Sequence, residues 1–365
     1  MKKNIIFFLP NFGAGGAGQS ILNICKNINK KKYNIFILSI GKNFYKKNFK
    51  VFAKKIIEIN SSSTLLAMFK IFRLLLNFDK KNTLFVSNIN YANSLAVLLL
   101  KCVGKYKLIL IERTPLQELF IYFSLKDFLK KKIIKILIKL LYKYADCIIA
   151  NSKKIARDFT KYARIKCFFV YPLTIKKNLT IKRKKFFLQN VFEILTISRL
   201  SREKKLQDQI LAIGLINKKN IKLNIIGEGP LKKKLELFAL KWGINCVFYN
   251  YSDYNKIKYM KKSHLYICSS YFEGFPNAVV EAINFGLPVI SSDNHGGINE
   301  ILLNGKGGYK YKVGDVNSLS KIIKKIILNY DKSTKKNSFA KKKINRFSMV
   351  NKIKYEFFFD KVLRK

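Results

Sequence analysis

Residues 265–293, LYICSSYFEGFPNAVVEAINFGLPVISSD, hold the pattern from which the fold is read. An apolar run at 265–270 passes through a loop into a helical segment, and a second apolar run follows at 288–293. Pro276 suits the first turn of a helix, where the missing N–H has no partner to lose. Gly286 stops that helix before Leu287 and Pro288 open the next strand. Strand, loop, helix and strand make one unit of a parallel sheet. Ligands of such sheets bind at the carboxyl ends of the strands, so the loop holding Glu273 is the informative one. Asn277 and Glu281 are four apart and share a helical face. Ala278, Val279, Val280, Ala282 and Ile283 mark the helix as largely buried, where carboxylates are unusual. Acids that each accept two hydroxyl hydrogen bonds suit a hydroxyl-rich ligand.

The same alternation runs outward in both directions. Upstream, strands are predicted at 4–9, 33–40, 84–88, 107–111, 146–150 and 166–171. The stretch 174–190, TIKKNLTIKRKKFFLQN, is basic and weakly periodic and reads as a linker. Strands then resume at 193–198, 222–226 and 246–250. The expected fold is α/β, with two Rossmann-like doubly wound domains facing each other across a cleft. Their expected bounds are 1–173 and 191–346. An amphipathic segment at 347–365, with Phe347, Ile353, Phe357 and Phe358, is expected to form a helix packing back on the first domain.

Composition narrows the class. The 365 residues are 49% hydrophobic, enough for a sizeable core. Six scattered cysteines with no CxxC pair exclude a disulfide framework and a zinc ribbon and fit a reducing cytosol. The apolar run before Pro10 has five residues, short of the roughly 7–15 of a secretory leader. No apolar stretch approaches the roughly 20 residues of a spanning helix. A cytoplasmic protein, soluble or peripheral at the inner membrane, is expected. With 72 Lys and Arg against 21 Asp and Glu, the net charge is +51. Such a field attracts nucleic acid, anionic headgroups or phosphorylated substrates, although a biased lysine-rich composition gives the same number.

Four further motifs sit at predicted strand ends. GAGGAG at 13–18 satisfies G-x-G-x-x-G. As a dinucleotide fingerprint it needs an acid about 20 residues on, and the first acid is Glu58. An NADP-dependent enzyme tolerating Lys42 is therefore one alternative. The other reading is glycines admitting a phosphate or sugar to a helix N-terminus. ISRLSREKKLQD at 197–208 offers Arg199 as a fork and Lys204 as a point charge for a diphosphate. IIGEGPLKKKLE at 225–236 is a glycine turn whose N–H groups can face a phosphate. IERTP at 111–115 places Glu112 and Arg113 at a strand end, as a site or as a structural ion pair.

Together, and in this order, these motifs resemble the GT-B glycosyltransferases, specifically the large retaining family 4. EGFPNAVVEA carries its two acids with seven residues between them, ISRLSREKK its Arg and Lys, and DNHGGINEIL its G-G-x-x-E-I-L stretch. The resemblance implies a nucleotide-diphosphate sugar, a UDP- or GDP-sugar, as donor to a glycan or lipid-linked acceptor. It implies Glu281 on the ribose, Glu273 near the donor sugar, and Arg199 with Lys204 on the diphosphate. Gly15, Gly16, Gly227, Gly229, Phe275, Pro276 and Asn277 complete the implied donor site, with Glu112 and Arg113 on the acceptor side. A hexosyl- or N-acetylhexosaminyltransferase acting with retention and without a metal or other cofactor is expected. No Asp-x-Asp pair is present, and His264 and His295 stand far apart. A nucleic-acid-binding protein is the second alternative. It has charge in its favour but no RRM, KH or helix-turn-helix signature, so no nucleic-acid partner is expected.

One segment lies outside the donor motifs. In 126–147, KDFLKKKIIKILIKLLYKYADC, Lys132, Lys135, Lys139 and Lys143 recur at helical spacing opposite Ile133, Ile134, Leu137 and Leu141. This predicts a helix with its apolar face on the sheet and a lysine face able to meet an anionic membrane.

Overall fold

The computed structural model describes residues 2–13, 15–181, 186–216 and 220–364, apart from the side chains of Cys102 and Val103. Ala14 of the first glycine loop and residues 182–185 of the expected linker lie outside them. The chain forms two units, Met1–Thr174 with Met349–Lys365, and Ile175–Ser348.

The first unit is built on β1 (Lys3–Phe8), β2 (Tyr33–Ser39), β3 (Lys55–Glu58), β4 (Thr83–Asn88), β5 (Lys107–Glu112), β6 (Cys147–Ala150) and β7 (Cys167–Phe169). Its sheet order is β3-β2-β1-β4-β5-β6-β7, every pair parallel. Ile6 on β1 lies between Phe36 and Phe85 of its neighbours. Such Ile- and Phe-rich strands are buried on both faces because helices cover both. Those helices are α1 (Gly16–Asn27), the short α2 (Lys46–Phe49), α3 (Thr64–Leu75), α4 (Asn90–Ala96), α5 (Leu125–Leu141) and α6 (Lys153–Ala163). Ser63, Ser124 and Ser152 cap α3, α5 and α6 by accepting backbone N–H bonds. The order reverses between β1 and β4, so the loops leaving those strands part and open a crevice.

The second unit repeats the plan with β8 (Phe192–Ile197), β9 (Ile221–Ile226), β10 (Cys246–Tyr249), β11 (Leu265–Cys268), β12 (Val289–Ser292) and β13 (Tyr309–Tyr311). Its order is β10-β9-β8-β11-β12-β13, again all parallel, with the reversal between β8 and β11. Around it lie α7 (Leu206–Gly214), α8 (Lys232–Lys241), α9 (Asp253–Lys262), α10 (Asn277–Asn284), α11 (Ile298–Ile301), α12 (Val316–Leu328) and α13 (Tyr330–Lys342). Pro276 stands as the cap residue preceding α10, and Gly286 follows the helix with φ 80°. In both sheets the edge strands are short. β3 and β10 have four residues, and β7 and β13 three, against six or seven in β1, β2, β8 and β9.

The terminal segment departs from its expected apolar face. Helix α14 (Lys352–Arg364) buries Tyr355, Phe358, Phe359, Val362 and Leu363 against the first unit, whereas Ile353 and Phe357 are exposed. A 100° step per residue puts 355, 358, 359 and 362 on one stripe and 353 and 357 off it. Phe347 belongs to the second unit, its ring 5.0 Å from that of Phe275. Phe359 meets Phe7 edge-on at 5.9 Å, and Tyr33 donates to Asp360 at 2.5 Å. Phe359→Ala should cost about 3–5 kcal/mol of stability. A chemical denaturation curve measures this, and an unchanged midpoint would show that α14 is not part of that core.

Candidate functional site

In the second unit, the loops leaving β8 and β11 meet at the switch point. After Ile197 the chain runs through Ser198, Arg199 and Leu200 into a tight turn at Arg202–Lys204. Lys205 then takes a left-handed conformation, φ 48°, and α7 begins. Lys204 points at the neighbouring loop, and its Nζ lies 2.6 Å from Glu273 Oε1. Ser270 donates to the same carboxylate oxygen at 2.8 Å. Burial pulls the Lys204 ammonium toward neutrality, but the Glu273 charge and hydrogen bond outweigh it and hold its pKa above the ordinary value. Arg199 is largely exposed and reaches Glu203 at 3.0 Å.

A buried relay fixes this loop from below. Thr196 donates to Gln209 at 2.7 Å, Gln209 to Ser269 at 2.8 Å, and Ser269 to the Lys204 carbonyl at 2.7 Å. Backbone approach fixes it from the sides. A Cβ on Gly227 would fall 1.8 Å from the Ser198 carbonyl oxygen, and one on Gly296 1.6 Å from that of Glu273. Glycine at those two positions is therefore a steric requirement, because the carbonyls occupy the side-chain volume. Leu200 N–H donates to Glu228, and Glu273 N–H to Asn294, closing both loops.

Glu281 lies one turn into α10 and faces Lys256 of α9 at 3.3 Å. Burial raises its pKa, and Lys256 opposes the rise. Asn277 opens the same helix. Phe275 and Pro276 are buried, Phe275 against Phe347, so they shape the loop from inside. The structure thus brings together Arg199, Lys204 and Glu273 at the β8 and β11 ends, with Gly227 and Gly229 of the β9 loop packed on Ser198 and Leu200. Sequence reasoning missed Ser270, Gln209, Gly296 and Lys256. Ser270 stood at the end of a predicted strand, but Lys256 is one of many basic residues with nothing local to distinguish it.

In the first unit, Gly15 precedes α1 as its cap residue, and a Cβ there would meet nothing within 4 Å. Gly18 is tighter, because a Cβ at that position would stand 2.7 Å from the Tyr45 ring. The first acid, Glu58, is taken up by the Asn43 N–H and Lys46. Glu112 ends β5 and Arg113 follows it, and the two turn to different partners rather than to each other. Arg113 is buried and donates to Asn88 at 2.8 Å and Ser20 at 2.7 Å. Glu112 is fully buried and accepts from Tyr142 at 2.5 Å and Asn93 at 2.7 Å on one oxygen, while Oε2 has no protein partner among the described residues.

Among the described residues, no group of three His, Cys, Asp or Glu side chains converges as a metal-binding set. No described helix is long and apolar enough to cross a membrane.

A sequence profile described as "Glycosyl transferases group 1" matches residues 178–343, the second unit with its loops. A curated relative from Campylobacter jejuni is 30% identical over 273 residues, covering 73% of this chain and 72% of that protein. The chain belongs to the glycosyl transferases group 1 family. That relative is an N-acetylgalactosaminyltransferase acting on N-acetylgalactosamine-N,N'-diacetylbacillosaminyl-diphospho-undecaprenol. A glycosyltransferase of Methanocaldococcus jannaschii is 34% identical over 192 residues, and this chain spans about half its length, 47%. Among solved structures, Anabaena HepE in complex with UDP-glucose superposes with a TM-score of 0.78 at 18% identity, covering all of both chains. Sucrose-phosphate synthase from Thermosynechococcus elongatus gives 0.82 at 13%, also covering all of both. These likenesses give the fold, which is GT-B.

For this glycosyltransferase, Glu112 makes stability depend on pH. Burial pushes its carboxyl from 4.5 up to about 7, against the hydrogen bonds of Tyr142 and Asn93. The folded state then holds a proton that the unfolded chain releases, so stability is full below about pH 4.5 and falls as pH rises toward 7. The loss is on the order of 3 kcal/mol. Glu112→Gln should flatten the profile and be the more stable protein at pH 8. Urea midpoints from pH 4.5 to 8 that fall equally in both proteins would refute the assignment.

Proposed function

We propose that the protein is a retaining glycosyltransferase that moves a sugar from a nucleotide-diphosphate donor to a glycan or lipid-linked acceptor. The observation that carries this reading is the Lys204–Glu273 pair at 2.6 Å beside Arg199, at the strand ends of the unit matched by the family profile. Donor cleavage leaves a nucleoside diphosphate, so the demand on the site is cationic stabilisation of the departing charge. Arg199 supplies a two-pronged donor, and Lys204 has N–H groups to spare beyond the one on Glu273. Gly227 and Gly229 keep the diphosphate side of the loop low. Glu273 lies near the donor sugar. Glu281 accepts the ribose hydroxyls and, until they arrive, is held by Lys256. Asn277 completes the donor side, and Gly15 and Gly16, at the open N-terminus of α1, are assigned to donor binding on the sequence resemblance alone.

Several facts support a lipid-linked or polymeric acceptor. The C. jejuni relative acts on a diphospho-undecaprenol-linked glycan, and others are a poly(glycerol-phosphate) alpha-glucosyltransferase of Bacillus subtilis and a lipopolysaccharide galactosyltransferase of Escherichia coli. Glu112 and Arg113 are assigned to the acceptor side as positioning groups, since both are buried. The free thiols of Cys25, Cys167, Cys246 and Cys268 fit the reducing cytosol, with the enzyme peripheral at the inner face of the membrane.

Incubation with a panel of UDP-, GDP- and ADP-sugars, reading nucleotide release, tests the reading and names the donor; release from none of them would overturn it. Arg199→Ala and Glu281→Ala should each lower kcat/KM by roughly tenfold to a hundredfold, the 1.5–3 kcal/mol of a charged hydrogen-bond partner. Melting temperatures of the variants separate this from unfolding. Because Arg199 and Lys204 meet the leaving-group charge, turnover should also survive EDTA. Loss on chelation with recovery in Mg2+ or Mn2+ would show that a cation shares that task.

A further inference from the structure

Helix α5 does not present the face expected of it. Its buried residues are Lys131, Ile134 and Ile138, while Leu125, Leu129, Ile133, Ile136 and Leu140 lie 50–75% exposed. At 3.6 residues per turn these five fall within about 80° of arc, directly opposite the sheet. Lys132 and Lys139 border the stripe on one side, Lys126 and Lys130 on the other, all four exposed. Asp127, the one acid of the helix, turns inward to Lys131 at 2.9 Å. Lys135, expected on the free lysine face, instead lies over the Phe120 ring at 4.4 Å and donates to Tyr122 at 2.9 Å. Helix α3 packs on the same side of the sheet, through the core that also takes Ile134 and Ile138, and it exposes Leu65, Leu66 and Phe69.

We propose that this face of the first unit docks on an anionic lipid bilayer, with the α5 stripe entering the headgroup region and its lysine borders meeting the lipid phosphates. An apolar stripe between two basic margins is the form of a helix lying in the membrane plane. A purely electrostatic contact needs no apolar residues turned outward, and a helix packed as a cover for the sheet has them turned inward. The exposed arc holds no acid, so its complement is an anionic surface. The choice of a bilayer rests on the lipid-linked-acceptor reading, but vesicle binding is measured without sugar transfer, and donor turnover without vesicles, so the two fail separately.

The test is co-sedimentation of the full chain with neutral phosphatidylcholine vesicles and with vesicles containing phosphatidylglycerol, alongside sedimentation equilibrium without lipid. Wild type should pellet with the anionic vesicles, less so as salt shortens the electrostatic range below about 8 Å. Leu129→Ser/Ile133→Ser/Ile136→Ser keeps the charge and should bind at least about tenfold more weakly. Lys126→Gln/Lys132→Gln/Lys139→Gln should lose a similar factor, at roughly fivefold or less per lysine. All six positions are exposed, and unchanged melting temperatures confirm the fold. Serine-variant binding equal to wild type, or equal binding of wild type to both vesicle types, overturns the proposal. So does a wild-type dimer that the serine changes dissociate, which would make a second copy the occupant.

Discussion

Much of the second unit hangs on one ion pair. Lys204 and Glu273 come from loops 69 residues apart in sequence, and their contact makes one surface of the ends of β8 and β11. Partly burying two charges costs desolvation that their attraction roughly repays, so the pair contributes placement more than net stability. That placement is reinforced by neutral groups. Ser270 takes up the carboxylate, and the Thr196–Gln209–Ser269 relay ends on the Lys204 carbonyl. The carbonyls of Ser198 and Glu273 then fill the space that side chains at Gly227 and Gly296 would need. The pair, the relay and the Tyr271 N–H on the Glu203 carbonyl join the two loops to each other, and the glycine approaches join each loop to its other neighbour.

Acids are scarce in this chain, and their positions are correspondingly informative. Asp146 joins Lys101 at 2.7 Å and accepts the Leu108 N–H, tying β5 to the turn before β6. Glu193 sits buried on β8 between Lys262 and Asn224. Glu112 stands apart, with no cation and one unpartnered oxygen among the described residues of a fully buried site, which is why burial dominates its protonation. The lysines follow another logic. Many lie over aromatic rings, as Lys139 over Tyr162 at 4.8 Å and Lys336 over Tyr309 at 4.4 Å, so part of the positive surface is also packing.

The parallel sheets were legible because Ile-rich runs and glycine turns alternate at short range, and both signals are local. Strands β3 and β13 were not, since KIIE and YKY are too short to show a period. The loops leaving β8, β9 and β11 were legible as motifs, because a glycine at a close backbone approach such as Gly227 admits no substitute. Lys256 was not, as only the folding of α9 against α10 brings it to Glu281. The α5 and α14 faces were assigned in the wrong rotation for one reason. In segments made almost wholly of Lys, Ile, Leu and Phe, apolar residues fall on every side, and only the tertiary partner decides which side is inward.

The brevity of the sheet edges bears on how such a chain survives synthesis. Thirty phenylalanines and long isoleucine runs make it rich in segments able to form cross-strand ladders with other copies. The strands that face outward, β3, β7, β10 and β13, offer only three or four residues, and the longer apolar strands lie inside each sheet. A template that short is a poor seed for an intermolecular sheet. Mutual repulsion between molecules carrying +51 each adds a second barrier. The folded enzyme is thereby kept from the aggregation that its own core composition favours.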